Sequence, residues 1–365
     1  AANLAQARLD LLGAEVRLIA AAVRFLEFAN LVDVRGAIVE HPAIATISAA
    51  WPTLSALNAE PWRSAPEVVD ALCEVYTRSL LCAKTTAAPL LPHLLEALRD
   101  AFVAHLHPSC LDALAVAVEV FSAPDATTQP PGASRVHDPA IAESFANALL
   151  ACAQAAHASL SRSPIAEQAD VARATFELAN KYALFAPDVL LKSPALQPLM
   201  GMACAAIGTN ERDAVRAALG MMSALIEPGR RAGATATWQN GRVAVDAWVA
   251  SAGGGENLVR AALLAGGDRC PRHLLRPVAQ LLHAVRTRYG HNGGFHAWLS
   301  SVITDPSFPS PNDPCDDSVR RVFRELATRE GDGSLPPQRW SAMVVDFFQI
   351  CRREADKDAL LAHQM

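Results

Sequence analysis

The feature that most constrains this chain is a hydrophobic period of about 3.6 residues that restarts repeatedly, each time after a proline or a short polar turn. Between Pro66 and Cys82, the residues Val69, Leu72, Cys73, Tyr76 and Leu80 fall at helical spacing. Between Pro89 and Leu106, the residues Leu91, Leu94, Leu95, Leu98, Phe102 and Leu106 do the same. Pro66 and Pro89 stand near helix starts, where a missing N–H removes no hydrogen bond, and Ser64 is a candidate cap. Two amphipathic helices joined by a short turn make a helical hairpin.

The hairpin recurs along the chain. Ser109 to Phe121 is followed by Pro139 to Leu160, Ile165 to Phe185 by Pro194 to Ile207, and Glu211 to Ile226 by a helix near Glu256 to Leu264. Pro271 to Tyr289 pairs with Phe295 to Ile303, and Asp317 to Thr328 with a last helix bearing Trp340, Met343, Val344, Phe347, Phe348 and Cys351. About one and a half further hairpins fill the first stretch of roughly 60 residues. A period of roughly 40 to 50 residues is that of HEAT and armadillo repeats. The expectation is an all-α, right-handed α-α superhelix of such hairpins, one continuous solenoid over residues 1–365. Pro-, Gly- and small-polar-rich stretches at 123–138, 229–241 and 305–314 read as loops between helices, with no change of composition to mark a domain boundary.

Composition agrees. With 51% hydrophobic residues and only 19% charged, the chain is too apolar to be disordered, and aromatics at 6% beside abundant Ala and Leu favour helices over sheets. A net charge of -5 lacks the basic footprint that nucleic-acid binding demands. No apolar run reaches the roughly 18 residues of a membrane span, so neither direct nucleic-acid binding nor membrane insertion is expected. The eight cysteines carry no CxxC pair and lie mostly within apolar helical segments, as free thiols do in the cytoplasm or nucleus. The chain opens in mid-helix without an initiator methionine, which reads as a piece of a longer polypeptide or as a trimmed N-terminus.

No pattern of catalytic chemistry emerges. The run SAGGGENLVRAA opens a helix but lacks the Lys-Ser/Thr of a phosphate-binding loop and follows no strand, so it reads as a flexible turn. His105 and His107 form an HxH with no further ligand nearby and read as a solvated pair. No GxSxG motif is present, and Asp313, Asp316 and Asp317 lack the DDxxD spacing that a helical isoprenoid-type enzyme needs. No cofactor, no metal and no enzymatic activity is expected. The alternative is a binding surface built from polar residues on the inner, second helices of the hairpins: Glu96, Arg99, Asp100 and Glu143 are the candidates. Arg272, Arg276, His283 and Arg286 form a second candidate, a basic stripe on one helix that either accepts acidic segments or is a solvated outer face.

The order and spelling of the segments resemble the importin-β (karyopherin-β) family of nuclear transport receptors, and within it the importin-13/transportin-3 branch. The residues carrying the resemblance are APEVVDALCEVYTRSLLCAKTTAAPLLPHLLEALRDAFVAHLHPSCLDALAVAVEVFSAPD, then ADVARATFELANKYALFAPDVLL, ERDAVRAALGMMSALIE, FHAWLSSVI and SFPSP, in that order. The resemblance covers most of residues 40 to 355. It implies the C-terminal, cargo-binding arch of a receptor that shuttles between nucleus and cytoplasm. Protein cargo, Ran-GTP and nucleoporins would be its partners, with the main Ran-GTP surface in an N-terminal arch outside this chain. The arginine-rich helix with which transportin-3-like receptors read phosphorylated Arg-Ser domains is not matched: VVDALCEVYTRSLL offers only Arg78. The resemblance is therefore nearer the importin-13 side. A HEAT or armadillo scaffold unrelated to transport is the alternative.

Overall fold

The structure is a computed structural model that describes residues 2–26, 41–122, 138–228, 236–251, 253–291, 293–310, 312, 315–329 and 335–364. Among them every regular element is helical, and the architecture is all-α, of the HEAT/armadillo helical-repeat type. The chain divides into two compact units, residues 1–161 with 177–195, and residues 162–176 with 196–365.

The first unit holds α1 (Ala2–Phe25), α2 (Pro42–Leu57), α3 (Pro66–Ala83), α4 (Leu91–His105), α5 (Pro108–Ser122) and α6 (Pro139–Leu160), with the second half of α7 (Ala169–Phe185) and the short α8 (Pro187–Lys192). Proline occupies the first turn of α2, α3, α4, α6 and α8, where its fixed φ suits the helix. The helices stack in two rows: α1 on α3 and α3 on α5 in one, α4 on α6 and α6 on α8 in the other. Helix α1 meets α3 through Gly13, Val16, Ala20 and Val23, all buried. A Cβ at Gly13 would stand 2.9 Å from the Glu67 carbonyl oxygen, so glycine lets the two backbones approach. The apolar stripe read from the sequence of α3 is buried throughout, Leu72, Tyr76 and Leu80 each at 1% exposure or less. Each such side chain contributes roughly 1.5–3 kcal/mol of burial free energy. Tyr182 of α7 donates its hydroxyl to the Phe145 carbonyl at 2.9 Å and meets the Phe145 ring edge-on, both fully buried.

The second unit holds the start of α7, then α9 (Leu196–Ile207), α10 (Arg212–Ile226), α11 (Ala236–Ala250), α12 (Gly254–Leu264), α13 (Leu275–Tyr289), α14 (Gly294–Ile303), α15 (Asp317–Ala327), α16 (Pro337–Cys351) and α17 (Lys357–Leu361). Again two rows form, α9, α12 and α14 in one, α10, α13 and α16 in the other. An aromatic cluster closes the core. Phe347 of α16 stacks on Phe323 of α15 with ring centroids 3.7 Å apart, Phe308 stacks beyond it, and Trp340 meets Phe295. Arg352, just past α16, donates to the carbonyls of Ala265, Gly266 and Cys270. It thereby adds a donor to two carbonyls of the π-helical turn Ala265–Arg269 that ends α12, and to that of Cys270, the residue capping it.

The structure departs from the sequence reading at residues 236–241 and at the glycine run, and keeps to it at 305–310. Residues 236–241, expected in a loop, belong to α11, whose buried Trp238, Val245 and Val249 recur at helical spacing and overrule Gly241. The rest of that stretch, 229–235, lies outside the described residues, as does 123–137. The expected loop at 305–314 is non-helical over 305–310, where Asp305 accepts from the Ser307 N–H and hydroxyl and Phe308 is buried; residues 311, 313 and 314 lie outside the described residues. The glycine run is no slack turn. Gly253 takes φ +94° ahead of α12, a Cβ at Gly254 would stand 2.0 Å from the Trp248 carbonyl oxygen, and one at Gly255 would stand 2.4 Å from the Trp298 indole. The glycines there make room for neighbours.

Candidate protein-binding surface

In the first unit, the row α4, α6, α8 carries the polar residues read as candidates from the sequence. On α4, the apolar face formed by Leu91, Leu94, Leu95, Leu98 and Phe102 is buried, which turns His93 and Glu96 outward and leaves Arg99 and Asp100 half-buried at the edge. Arg99 donates through Nε (2.8 Å) and Nη2 (2.7 Å) to Oδ1 of Asp100, and lies 3.7 Å from Glu96. These three form one interlocked cluster, so Arg99 is held in place and its charge is already spent on Asp100. Glu96, with 63% of its side chain exposed, is the member that faces solvent most fully. Arg99 and Asp100 also lie close enough to the buried Cys152 of α6 to act on it electrostatically, although burial is what pushes that thiol up to about 12.

Helix α6 presents Glu143 and Asn147, one turn apart and exposed. Together with Leu150 and with Asp188, Val189 and Lys192 of α8 they line a groove of about 360 Å³. Its floor is aliphatic and its rim carries two carboxylates and one ammonium. Among the described residues, Glu143, Asp188 and Lys192 are in no ion pair with one another or with any other side chain. A partner can therefore engage them without breaking an internal bond, which distinguishes this groove from the self-paired cluster on α4.

The basic stripe is taken apart by its surroundings. In the second unit, Arg272 lies in a 3-10 turn ahead of α13 and, although 77% exposed, pairs with Glu354 at 2.9 Å. His283 sits against the Trp340 indole, and burial with the nearby Arg286 lowers its pKa. Arg286 donates to the Arg329 carbonyl and lies over the same indole. Arg276 stays exposed, with no ion-pair partner among the described residues. Among the described residues the stripe is thus one cation without an ion-pair partner, Arg276, beside two arginines that have partners and a histidine packed on an indole. Arg288, beyond it, is buried against Asp246 at 2.6 Å and donates to the carbonyls of Leu225 and Ile226, an arrangement that periodicity alone does not reveal.

Other sequence candidates resolve structurally. His105 pairs with Glu60 at 2.6 Å, whereas His107 is buried, 2.9 Å from the Arg63 carbonyl oxygen, and so is not the solvated neighbour expected of it. Asp316 caps α15 by accepting from the Ser318 N–H, and Asp317 pairs with Arg320; Asp313 lies outside the described residues. Among the described residues no group of three or more His, Cys, Asp or Glu could hold a metal ion, and no helix is long and apolar enough to cross a membrane.

No protein-family model and no curated protein matches the sequence. Solved structures do match its fold. One of importin-13 in its cytosolic state superposes along 96% of this chain with a TM-score of 0.66 at 16% sequence identity. This chain spans 38% of that protein's length. The fold is accordingly that of an importin-like helical-repeat protein.

Proposed function

We propose that this chain is the cargo-binding, C-terminal arch of a nuclear transport receptor of the importin-β family, nearer importin-13 than transportin-3, which takes up and releases protein cargo in response to Ran-GTP. The observation that carries the reading is the match of almost the whole chain to the importin-13 helical-repeat fold, joined to the sequence order of the quoted segments. The α4–α6–α8 row is where cargo binds in this reading. Glu96 and Glu143 make the outward contacts, Arg99 and Asp100 support Glu96, and Arg276 with Arg272 makes a second, basic contact in the other unit. Stacked hairpins suit such work because each interface between repeats is small, so a ligand that prefers one curvature shifts the population toward it.

The test is binding of the whole protein to Ran loaded with a non-hydrolysable GTP analogue or with GDP. Micromolar or tighter binding to the GTP form, with little to the GDP form, and enrichment at the nuclear envelope are the expected results. A protein that binds neither form and shows no such enrichment is a helical-repeat scaffold of another kind.

A further inference from the structure

The two units of this chain differ in charge. Residues 1–161 and 177–195 carry 18 acidic against 11 basic side chains, whereas residues 162–176 and 196–365 carry 19 against 21. The field of the first unit therefore attracts cations, and a cleft with apolar walls concentrates such a field. The groove between α6 and α8 is a cleft of that kind. Its floor is formed by Ala142, Ala146, Leu150 and Val189, and its rim carries one carboxylate from each wall, Glu143 from α6 and Asp188 from α8.

Elsewhere in this unit acidic side chains are engaged: Glu60 by His105, Glu74 by Arg17, Asp100 by Arg99 and Glu119 by Lys181. At the groove they are not. Asp188 and Lys192 lie four residues apart on α8, a spacing at which opposite charges commonly pair, yet among the described residues neither Asp188 nor Glu143 makes an ion pair with Lys192. Two carboxylates and one ammonium leave the rim with one net negative charge, which a single cation balances. That cation must also cover an aliphatic floor. An arginine does both: its methylene stem lies along apolar surface, and its planar fork donates to carboxylates on either side. Glu143 is exposed and Asp188 half-buried, so the cation gives up part of its water. A guanidinium is more weakly hydrated than an ammonium and loses less there than lysine does.

We propose that the α6–α8 groove is an arginine-reading site, occupied by a segment of a partner protein that sets one arginine between Glu143 and Asp188 and an adjacent aliphatic side chain on the floor. The volume of about 360 Å³ leaves room for that second side chain beside the arginine. Asn147, exposed one turn beyond Glu143, offers its amide to the backbone of the same segment. The rim turns an acidic segment away, so the site selects by repulsion as well as by attraction. This deepens the proposed function and rests on it only in taking the α4–α6–α8 row as the place where partners dock. Ran takes no part in it.

The experiment titrates the full chain into a fluorescein-labelled, end-capped peptide, Ala-Leu-Arg-Leu-Ala, and into matched peptides with lysine, citrulline or glutamate in place of the arginine, and follows anisotropy. A benzophenone-bearing form of the arginine peptide is photo-crosslinked and its adduct mapped by mass spectrometry. The arginine peptide should bind about fivefold to thirtyfold more tightly than its neutral citrulline counterpart, with lysine between them and glutamate weakest, and the adduct should fall within 142–150 or 188–194. Glu143→Gln and Asp188→Asn should each weaken the arginine peptide about twofold to fivefold and leave the citrulline peptide unchanged, a split that misfolding does not produce. Asp70→Asn, the same change of charge on an exposed carboxylate of α3, should alter neither. Equal binding of the arginine and citrulline peptides, an equal loss in Asp70→Asn, an adduct elsewhere, or no binding at the highest soluble protein concentration would overturn the proposal. Binding of Ran, measured separately, decides the transport reading, so the two fail independently.

Discussion

Gly266, in the π-helical turn that ends α12, lies against Phe348 so closely that a Cβ built on it would stand 2.3 Å from the phenyl Cε2. Phe348 is fully buried, next to Phe347 and its stack on Phe323, so the ring cannot swing away without disturbing the aromatic cluster. Gly266→Ala gains up to about 1 kcal/mol from the lower backbone entropy of the unfolded chain, and overpacking costs about 1–3 kcal/mol. A net loss of about 1–2 kcal/mol is the expected outcome, read as a lower urea midpoint at unchanged slope; an unchanged or raised midpoint refutes the close approach.

Gly201 supplies the opposite case. It lies inside α9, exposed, and a Cβ there meets nothing within 4 Å. Gly201→Ala should raise stability by about 0.5–1 kcal/mol. The same urea titration checks it, and a destabilised protein would mean that this face of α9 is already occupied.

Acidification should weaken the second unit through His283. Its imidazole packs against Trp340, and burial, reinforced by Arg286 and opposed by Glu227, lowers its folded pKa. Between the lowered folded value and the unfolded value of about 6.5, the unfolded chain binds the extra proton. The stability that His283 contributes is therefore fully present above the unfolded value and is lost as pH falls through the folded one. His283→Gln should melt with a smaller drop between pH 8 and pH 5 than the wild type. Identical pH dependence in the two proteins would show that His283 titrates as it does in water.

Periodicity made the helices legible because a buried face must repeat at the helical spacing, and α3, α4 and α13 follow that rule without interruption. Helix α11 escaped it. Gly241 breaks the apparent run, and its buried positions, Trp238, Val245 and Val249, are too few to outweigh a glycine and its polar neighbours when read alone. The candidate surface was legible to the extent that polar residues sit opposite an apolar stripe, which places Glu96 and Glu143 on the outside. Which charges pair was not, since Arg99 with Asp100 is a local contact but Arg272 with Glu354 and Arg288 with Asp246 join residues far apart in sequence. For the same reason the Cys73–Cys110 contact was invisible: the two thiols come together only through the packing of α3 against α5.

The groove between α6 and α8 gives the sharpest test of where partners dock. Among the described residues Glu143 and Asp188 rim it without ion-pair partners, whereas Arg99 and Asp100 on α4 are locked to each other. Glu143→Lys combined with Asp188→Asn leaves every described hydrogen bond of the fold in place, so melting should move by no more than about 0.5 kcal/mol in equivalent stability. A partner that sets basic residues against this rim loses two favourable contacts and meets a new repulsion. At roughly 0.5–1 kcal/mol for each exposed pair, its affinity should fall about fivefold to thirtyfold. The measurement is recovery, at physiological salt, of the protein partners that co-purify with the wild type, with Arg276→Glu in the other unit as a comparison for charge reversal as such. Unchanged recovery by the double variant, with its fold intact, would remove the groove from the binding surface.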